Sequence, residues 1–366
     1  MALPCGRMQS STLTACACLL FIASLQPAFA QPEGLAACAE IGAPADRLAC
    51  YDRLAGRAVE GPAPTGRAGD SDSKLAPKAQ LLPPASRPVG GGSGSLVSRY
   101  WELEPEDKRG IFNFVGYKPN YVLPLHQTSR INREPRSPTQ AAVPLPDYKR
   151  TEAKFQLSLR TKVLQDVGFE GGDLWLAFTQ QALWQIWNGK DSKPFRNSDY
   201  EPEAIYVVPV PEAWRGLPFG WQWRYGQLGI AHQSNGQSDP LSRSWNRASL
   251  GAGFERDNWS LSTRLVQRFN EKLETDNNPD LIDYRGRSET QLNWASGLST
   301  ASLLYRNTLQ GVKYGALQLE WTYPVLRDQP NGLRWYLQAF RGYGETLTDY
   351  NFRQTSFGAG VTFLQF

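Results

Sequence analysis

The sequence predicts an all-β fold: an antiparallel transmembrane β-barrel of about twelve strands with a small N-terminal periplasmic extension. Three observations predict it. From about residue 110 the hydrophobic pattern has a period of two, apolar on one parity and polar or charged on the other. The 366 residues include 12 Trp, 15 Tyr and 16 Phe, yet the mean hydropathy is −0.46. Strands that face lipid on one side and a polar lumen on the other combine these properties. After residue 30 no segment approaches the ~18–20 apolar residues of a spanning helix. A closed barrel needs none, because its hydrogen-bond ladder has no free edge.

Residues 1–30 read as a cleaved signal for export. Arg7 supplies the positive start, Leu13 to Leu25 the apolar stretch, and Ala28-Phe29-Ala30 the small-residue cleavage site. Cys5, Cys16 and Cys18 leave with it. The mature chain then keeps Cys38 and Cys50, an even pair in an oxidising compartment, and a disulfide is the expectation. Residues 31–60 have helix-forming composition around this pair. Residues 61–98 are rich in Pro, Gly and Ser and end in a Gly/Ser run, which reads as a flexible linker. Residues 99–366 form the barrel domain. The formal net charge of +4 carries no Lys/Arg run, so nucleic acid is not an expected partner.

Within that domain the alternation is explicit. Phe155, Leu157 and Leu159 interleave with Gln156, Ser158 and Arg160; Leu174, Leu176 and Phe178 share one parity. Trp259, Leu261 and Leu265 alternate with polar residues that include Arg264 and Arg268. Leu317, Leu319, Trp321 and Tyr323 alternate with Gln318, Glu320 and Thr322, and Leu333, Trp335 and Leu337 with Arg334, Tyr336 and Gln338. A soluble sandwich also alternates. The charges on the polar face, the aromatics near segment ends, and the terminal Phe366 with Leu364 on its parity favour a membrane barrel. The charges Arg160, Arg264, Arg268, Glu320 and Arg334 then read as a structural network in the lumen.

The mature chain has two histidines, His126 and His232. His126, in Leu125-His126-Gln127-Thr128, reads as a rim or loop residue. His232 lies in a stretch from Gly229 to Arg247 in which Asn235-Gly236 and Asp239-Pro240 are turn signals. The stretch is strand, polar loop, strand. Leu228, Ile230, His232 and Ser234 share one face of the first strand, and Asn246, Ala248 and Leu250 one face of the second. With the loop centred near Asp239, His232 falls opposite Asn246. Ser234 as nucleophile, His232 as base and Asn246 as the group that orients the imidazole then satisfy the logic of a hydrolytic triad. The same stripe carries Leu228, Ile230 and Leu250, so the triad points outward, toward lipid.

This stretch closely resembles the outer-membrane phospholipase A family, whose motif is His-x-Ser-Asn-Gly, then Ser-Asp-Pro, then Ser-Arg-Ser-Trp-Asn-Arg. Further matches lie at Lys154–Leu159, Phe178-Thr179-Gln180, Pro194-Phe195-Arg196, Tyr200-Glu201-Pro202, Gly342–Glu345 and Asp349–Phe352. The resemblance covers roughly residues 110–366, with none found for residues 31–98. It implies a calcium-dependent phospholipase A of the bacterial outer membrane, with A1 and A2 activity on glycerophospholipids. It implies the roles just given for His232, Ser234 and Asn246, and an oxyanion donor in the backbone near Gly236. It implies Ca2+ held by Ser242, by the main-chain carbonyl of Gln237, where the family often has a basic residue, by Asp239 in a weaker site, and by Ser192 of a second copy. Oxygen ligands suit that cation. It also implies a reversible homodimer. Gln180 shares the parity of Leu174, Leu176 and Phe178, where an amide facing lipid needs a partner, and the family uses a glutamine there as a dimer contact.

Two other functions compete with this one: a non-catalytic barrel, porin or scaffold, and a different outer-membrane lipid esterase. Labelling by a serine-directed sulfonyl fluoride separates the first from an enzyme, and turnover of phospholipid against lipopolysaccharide separates the second.

Overall fold

The computed structural model describes residue 38 and residues 40–54, 94–191, 194–311 and 313–363. The expected signal segment, most of the linker, Ser192 and the terminal Phe366 lie outside the described residues. The chain divides into two compact units, Met1–Ala76 and Pro77–Phe366. In the first, Pro44 opens helix α1 (Pro44–Leu54) and Asp46 lies in its first turn, where a negative charge suits the helix dipole. Cys38 and Cys50 are joined by a disulfide with Cα atoms 5.5 Å apart.

The second unit begins with helix α2 (Leu96–Trp101), in residues that composition alone assigns to the end of the linker and the start of the barrel. Ser95 caps it, its hydroxyl accepting from Ser98 N at 2.8 Å. Glu102 ends it in the left-handed region at φ 56°. Thirteen strands follow: β1 (Phe114–Gly116), β2 (Asn120–Thr128), β3 (Thr151–Leu164), β4 (Asp173–Trp184), β5 (Phe195–Pro209), β6 (Gln222–Ser234) and β7 (Ser244–Arg256). The rest are β8 (Trp259–Arg268), β9 (Ser288–Ser296), β10 (Ser299–Asn307), β11 (Ala316–Pro324), β12 (Arg334–Gly342) and β13 (Gln354–Phe363).

Strands β2 to β13 pair antiparallel in sequence order, and β13 pairs back on β2. The ring is closed with twelve strands, as the alternation predicts. The extra strand β1 continues the line of β2 along β3, with Gly116 opposite Leu159 and Tyr121 opposite Gln156. The break between them contains Pro119, which has no N–H for the ladder. Leu157, Leu176, Phe178, Leu317, Leu319, Trp335 and Leu337 are exposed on the outer face, and the alternate residues point in. No helix is long and apolar enough to cross a membrane, so the strands alone form the apolar belt.

Two clusters fill the lumen. At the rim of short turns, Trp101 of α2 packs against Tyr117, Trp175 and Tyr225 at ring-centroid distances of 6.2, 6.0 and 5.8 Å, with Val97, Ile205 and Val207 around them. The guanidinium of Arg160 lies 3.8 Å from the Tyr100 ring centroid and 4.3 Å from that of Trp101, and it donates to the Tyr100 carbonyl. At the opposite rim, Trp245 packs with Leu281 and Ile282 of helix α4 (Leu281–Arg285) and with Leu347 and Tyr350.

Charged side chains line the lumen in pairs. Arg264 meets Glu203 and Glu289; Glu320 accepts from Gln318 at 2.6 Å; Arg268 donates to Asp276 at 2.7 Å; Arg334 donates to Thr322 at 2.8 Å. His126 corrects the expectation of a rim or loop residue. It lies inside β2, is 0% exposed, and its Nε2 is 2.9 Å from Glu345 Oε1. Glu345 comes from the β12–β13 loop, which folds into the barrel mouth, and sequence gives no sign of that approach. Burial alone would raise the Glu345 carboxyl, but Lys154 and His126 beside it hold it well below the usual carboxylate range. A cavity of about 380 Å³ remains in the lumen, lined among others by Gln227, Arg264, Glu289 and Gln318.

Trp101→Ala removes the side chain on which the short-turn cluster closes. Urea unfolding should show a loss of about 3 kcal/mol. Trp214→Ala, on the exposed helix α3 (Glu212–Arg215), should cost less than about 1 kcal/mol.

Candidate active site

The ladder between β6 and β7 places the candidate residues. His232 is registered opposite Asn246, Gln233 opposite Trp245 and Ser234 opposite Ser244. His232 Nδ1 and Asn246 Oδ1 are 2.8 Å apart. Ser234 lies on the same outward face, two residues beyond His232. No hydrogen bond within 3.5 Å joins its hydroxyl to the imidazole among the described residues. Down the same stripe Leu228, Ile230 and Leu250 are 56%, 59% and 58% exposed, so the polar residues sit at the edge of an apolar surface. The intervening parity is buried: Gln233 accepts from Trp245 Nε1 at 2.9 Å, and Arg247 pairs with Glu201 at 2.6 Å.

The loop 235–243 is held by a residue that sequence marks only as a turn former. Asn235 is 1% exposed. Its Nδ2 donates to Leu241 O at 2.9 Å and to Thr348 Oγ1 at 3.2 Å, and its Oδ1 accepts from Arg243 N at 2.9 Å and Gln237 N at 3.3 Å. Buried Arg243 donates to the carbonyls of Pro240 and Ser242 at 2.9 and 2.7 Å. Gly236 has φ +62°, and a Cβ there would stand 3.2 Å from the Tyr200 ring. Only glycine meets both conditions without strain.

A second loop, between β8 and β9, lies against the first. Phe269 N donates to Asn246 O at 2.9 Å, and Ser244 N to Asn278 Oδ1 at 3.1 Å. Asn277 Nδ2 donates to Ser242 Oγ at 2.7 Å, and Asn246 Nδ2 to Glu271 Oε1 at 3.3 Å. Tyr350 in turn donates to Asp280. Burial pushes the Tyr350 phenol far up and Asp280 adds to the shift, so the bond keeps its proton at any ordinary pH. Sequence reasoning did not find Glu271, Asn277 or Asn278. They stand 25 to 35 residues from their partners across an irregular loop, and no period relates them.

The oxygen donors expected to hold a cation are close in sequence but only partly committed. The Gln237 carbonyl takes no backbone hydrogen bond among the described residues. The Asp239 carboxylate accepts only a 3.3 Å bond from Gln140. Ser242 Oγ keeps acceptor capacity beside its bond from Asn277. No group of three or more His, Cys, Asp or Glu side chains gathers among the described residues. A hydroxyl, a carbonyl, one carboxylate and water make an all-oxygen set, which fits a hard cation such as Ca2+ and not zinc. Ser192 lies outside the described residues. Gln180 is on the outer face, registered opposite Leu157 and Tyr200, and Tyr200 is opposite Ser234.

The family model described as phospholipase A1 matches residues 97–363. A protein of Neisseria meningitidis serogroup B that carries the phospholipase A1 name is 32% identical over 372 positions, covering 94% of each chain. That alignment extends into residues before 97, where the motifs alone showed no resemblance, so a relative shares the N-terminal extension. Phospholipase A1 of Escherichia coli K12 is 34% identical over 73% of this chain and 86% of its own. Among solved structures, the outer membrane phospholipase dimer of Salmonella typhi with bound calcium superposes with a TM-score of 0.60. It is 29% identical, over 75% of this chain and 98% of that one.

Asn235→Ala removes the four bonds that tie the loop to the barrel. Limited proteolysis should cut within 235–243 about tenfold faster or more, on the scale of one or two lost buried hydrogen bonds, while the barrel stays folded.

Proposed function

The chain belongs to the phospholipase A1 family, and from that premise we propose a calcium-dependent phospholipase A of the bacterial outer membrane. It hydrolyses acyl esters of glycerophospholipids with Ser234, His232 and Asn246. The observation that carries this reading is the 2.8 Å His232–Asn246 pair on the outward face, in one stripe with Ser234 and with exposed Leu228, Ile230 and Leu250. A hydrolytic set on the outside of a barrel meets a substrate that is itself part of the membrane, so the lipid need not cross the lumen.

The residues divide the work as follows. Asn246 Oδ1 accepts from His232 Nδ1–H and leaves Nε2 free to act as base. The Ser234–His232 contact closes with lipid bound, as catalytic hydrogen bonds often do. Ser234 Oγ attacks the acyl carbonyl carbon while His232 Nε2 takes its proton. The ester C–O bond then breaks, and His232 returns the proton to the departing lysolipid alcohol. Water activated by His232 hydrolyses the acyl-serine. The backbone N–H near Gly236 faces the oxyanion. Ser242 Oγ, the Gln237 carbonyl and Asp239 would hold calcium, with Ser192 from a second copy. Bound there, the ion supplies positive charge against the negative charge that develops on the carbonyl oxygen.

A permanently active enzyme of this kind would degrade its own membrane, and dimerisation supplies the control. Gln180 lies two strands from Ser234 on the outer face, about 10 Å at the usual strand spacing. A polar contact there brings a second copy to the edge of the site. Polar contacts in membranes average only ~0.6 kcal/mol, so the dimer is reversible and substrate and calcium add to it.

Ser234→Ala and His232→Ala should each lower turnover of phospholipid in mixed micelles by ~10³-fold or more without changing barrel insertion. Asn246→Ala should lose about 10- to 100-fold, the scale of a misplaced imidazole. Substantial hydrolysis by Ser234→Ala would contradict the mechanism.

Excess chelator should abolish turnover, and calcium should restore it with an affinity that Ser242→Ala weakens. Cross-linking and activity, titrated together against protein per micelle, should fall in parallel, and further in Gln180→Ala. Constant specific activity down to one chain per micelle would contradict control by dimerisation.

A further inference from the structure

We infer that Glu271 is a positioning residue of the catalytic set, acting through Asn246 to fix the tautomer of His232. The inference rests on the triad proposed above. Asn246 Nδ2 is 3.3 Å from Glu271 Oε1, while Asn246 Oδ1 is 2.8 Å from His232 Nδ1. An amide side chain can be turned end for end with little change of shape, and an imidazole can carry its proton on either nitrogen. The pair His232–Asn246 alone therefore has two solutions: oxygen toward the ring with the proton on Nδ1, or NH₂ toward the ring with the proton on Nε2. Only the first leaves Nε2 able to take a proton from Ser234. A carboxylate accepts hydrogen bonds and donates none. With Glu271 beside the amide, the NH₂ end must turn toward it, the oxygen must face His232, and Nδ1 must be the donor. The productive state is thereby selected before substrate arrives.

Glu271 is held there by the loop and not by the barrel. Phe269 N bonds to Asn246 O at 2.9 Å on one side of it. On the other, Arg268 donates to Asp276 at 2.7 Å and to Asn278 O at 2.8 Å, and Asn278 Oδ1 accepts from Ser244 N at 3.1 Å. The segment between these pins is short, and Glu271 is the acceptor on it that reaches Asn246. Its half-exposed position on the loop leaves the ladder and the lumen untouched by substitution.

The test is a mutant cycle on the full chain in mixed micelles with calcium. Glu271→Ala should lower kcat about three- to tenfold, the scale of one net hydrogen bond, with KM unchanged. Glu271→Gln can still present an oxygen and should recover most of that loss. Glu271→Lys presents only donors and should fall to the level of Asn246→Ala. In an Asn246→Ala background, Glu271→Ala should have no further effect. Wild-type kcat in Glu271→Ala where Asn246→Ala is impaired would overturn the inference and leave the triad standing. So would an equal loss in both backgrounds, or a Gln variant no better than Ala. Wild-type kcat in Asn246→Ala would overturn the triad itself, and the inference with it.

Discussion

A strand in a closed barrel has two faces and no third choice. Its successive side chains alternate between lipid and lumen, and its register with its neighbours decides which residue falls on which side. Between β6 and β7 that register puts His232 opposite Asn246 and sends both outward. A slip of one residue would turn His232, Ser234 and Asn246 into the lumen and bring Gln233, Trp245 and Arg247 out into the apolar belt. Buried charge would then meet lipid, and the Trp245 cluster with Leu281 and Tyr350 would be lost. The same packing that stabilises the barrel mouth thus keeps the outward face in place. The site needs no structure of its own beyond two loops to trim it.

The interior solves a different problem. Lys154, Glu345, His126, Glu152, Arg196 and Asp349 are all buried, and isolated charges there would be costly. They are linked instead: Lys154 to Glu345, Arg196 to both Glu152 and Asp349, at 2.8 to 2.9 Å. Glu345 and Asp349 come from the β12–β13 loop, so the network also ties that loop into the mouth. Thr348 of the same loop receives the Asn235 amide, and Tyr350 holds Asp280. Barrel interior, mouth loops and catalytic loop are therefore one hydrogen-bonded body on the side of the ring that carries the site. Such buried networks set geometry more than they add stability.

Much of this was legible in the sequence, and for stated reasons. Period two is a local property, so Leu157, Leu176, Leu319 and Trp335 announce the outer face without knowledge of their neighbours. The turn signals Asn235-Gly236 and Asp239-Pro240 centre a short loop, which is enough to put His232 against Asn246. What could not be read depends on loops that return from a distance. His126 looks like a rim residue until Glu345, 219 positions away, is seen beside it. Glu271 and Asn277 sit in an irregular segment whose path no pattern predicts. Helix α2 escaped because Ser95, Val97 and Trp101 follow a Gly/Ser run whose composition says linker. Only the packing of Trp101 on Trp175 and Tyr225 inside the barrel makes that stretch part of the domain.

The central claim is that Ser234 is a nucleophile made reactive by His232 and Asn246 on the lipid face. The most direct measurement is covalent labelling with a serine-directed sulfonyl fluoride in micelles with calcium, followed by peptide mass spectrometry. The account predicts one modified residue, Ser234, with labelling lost in His232→Ala and slowed in Asn246→Ala in proportion to turnover. Label on another serine, or hydrolysis that continues with Ser234 fully modified, would contradict it.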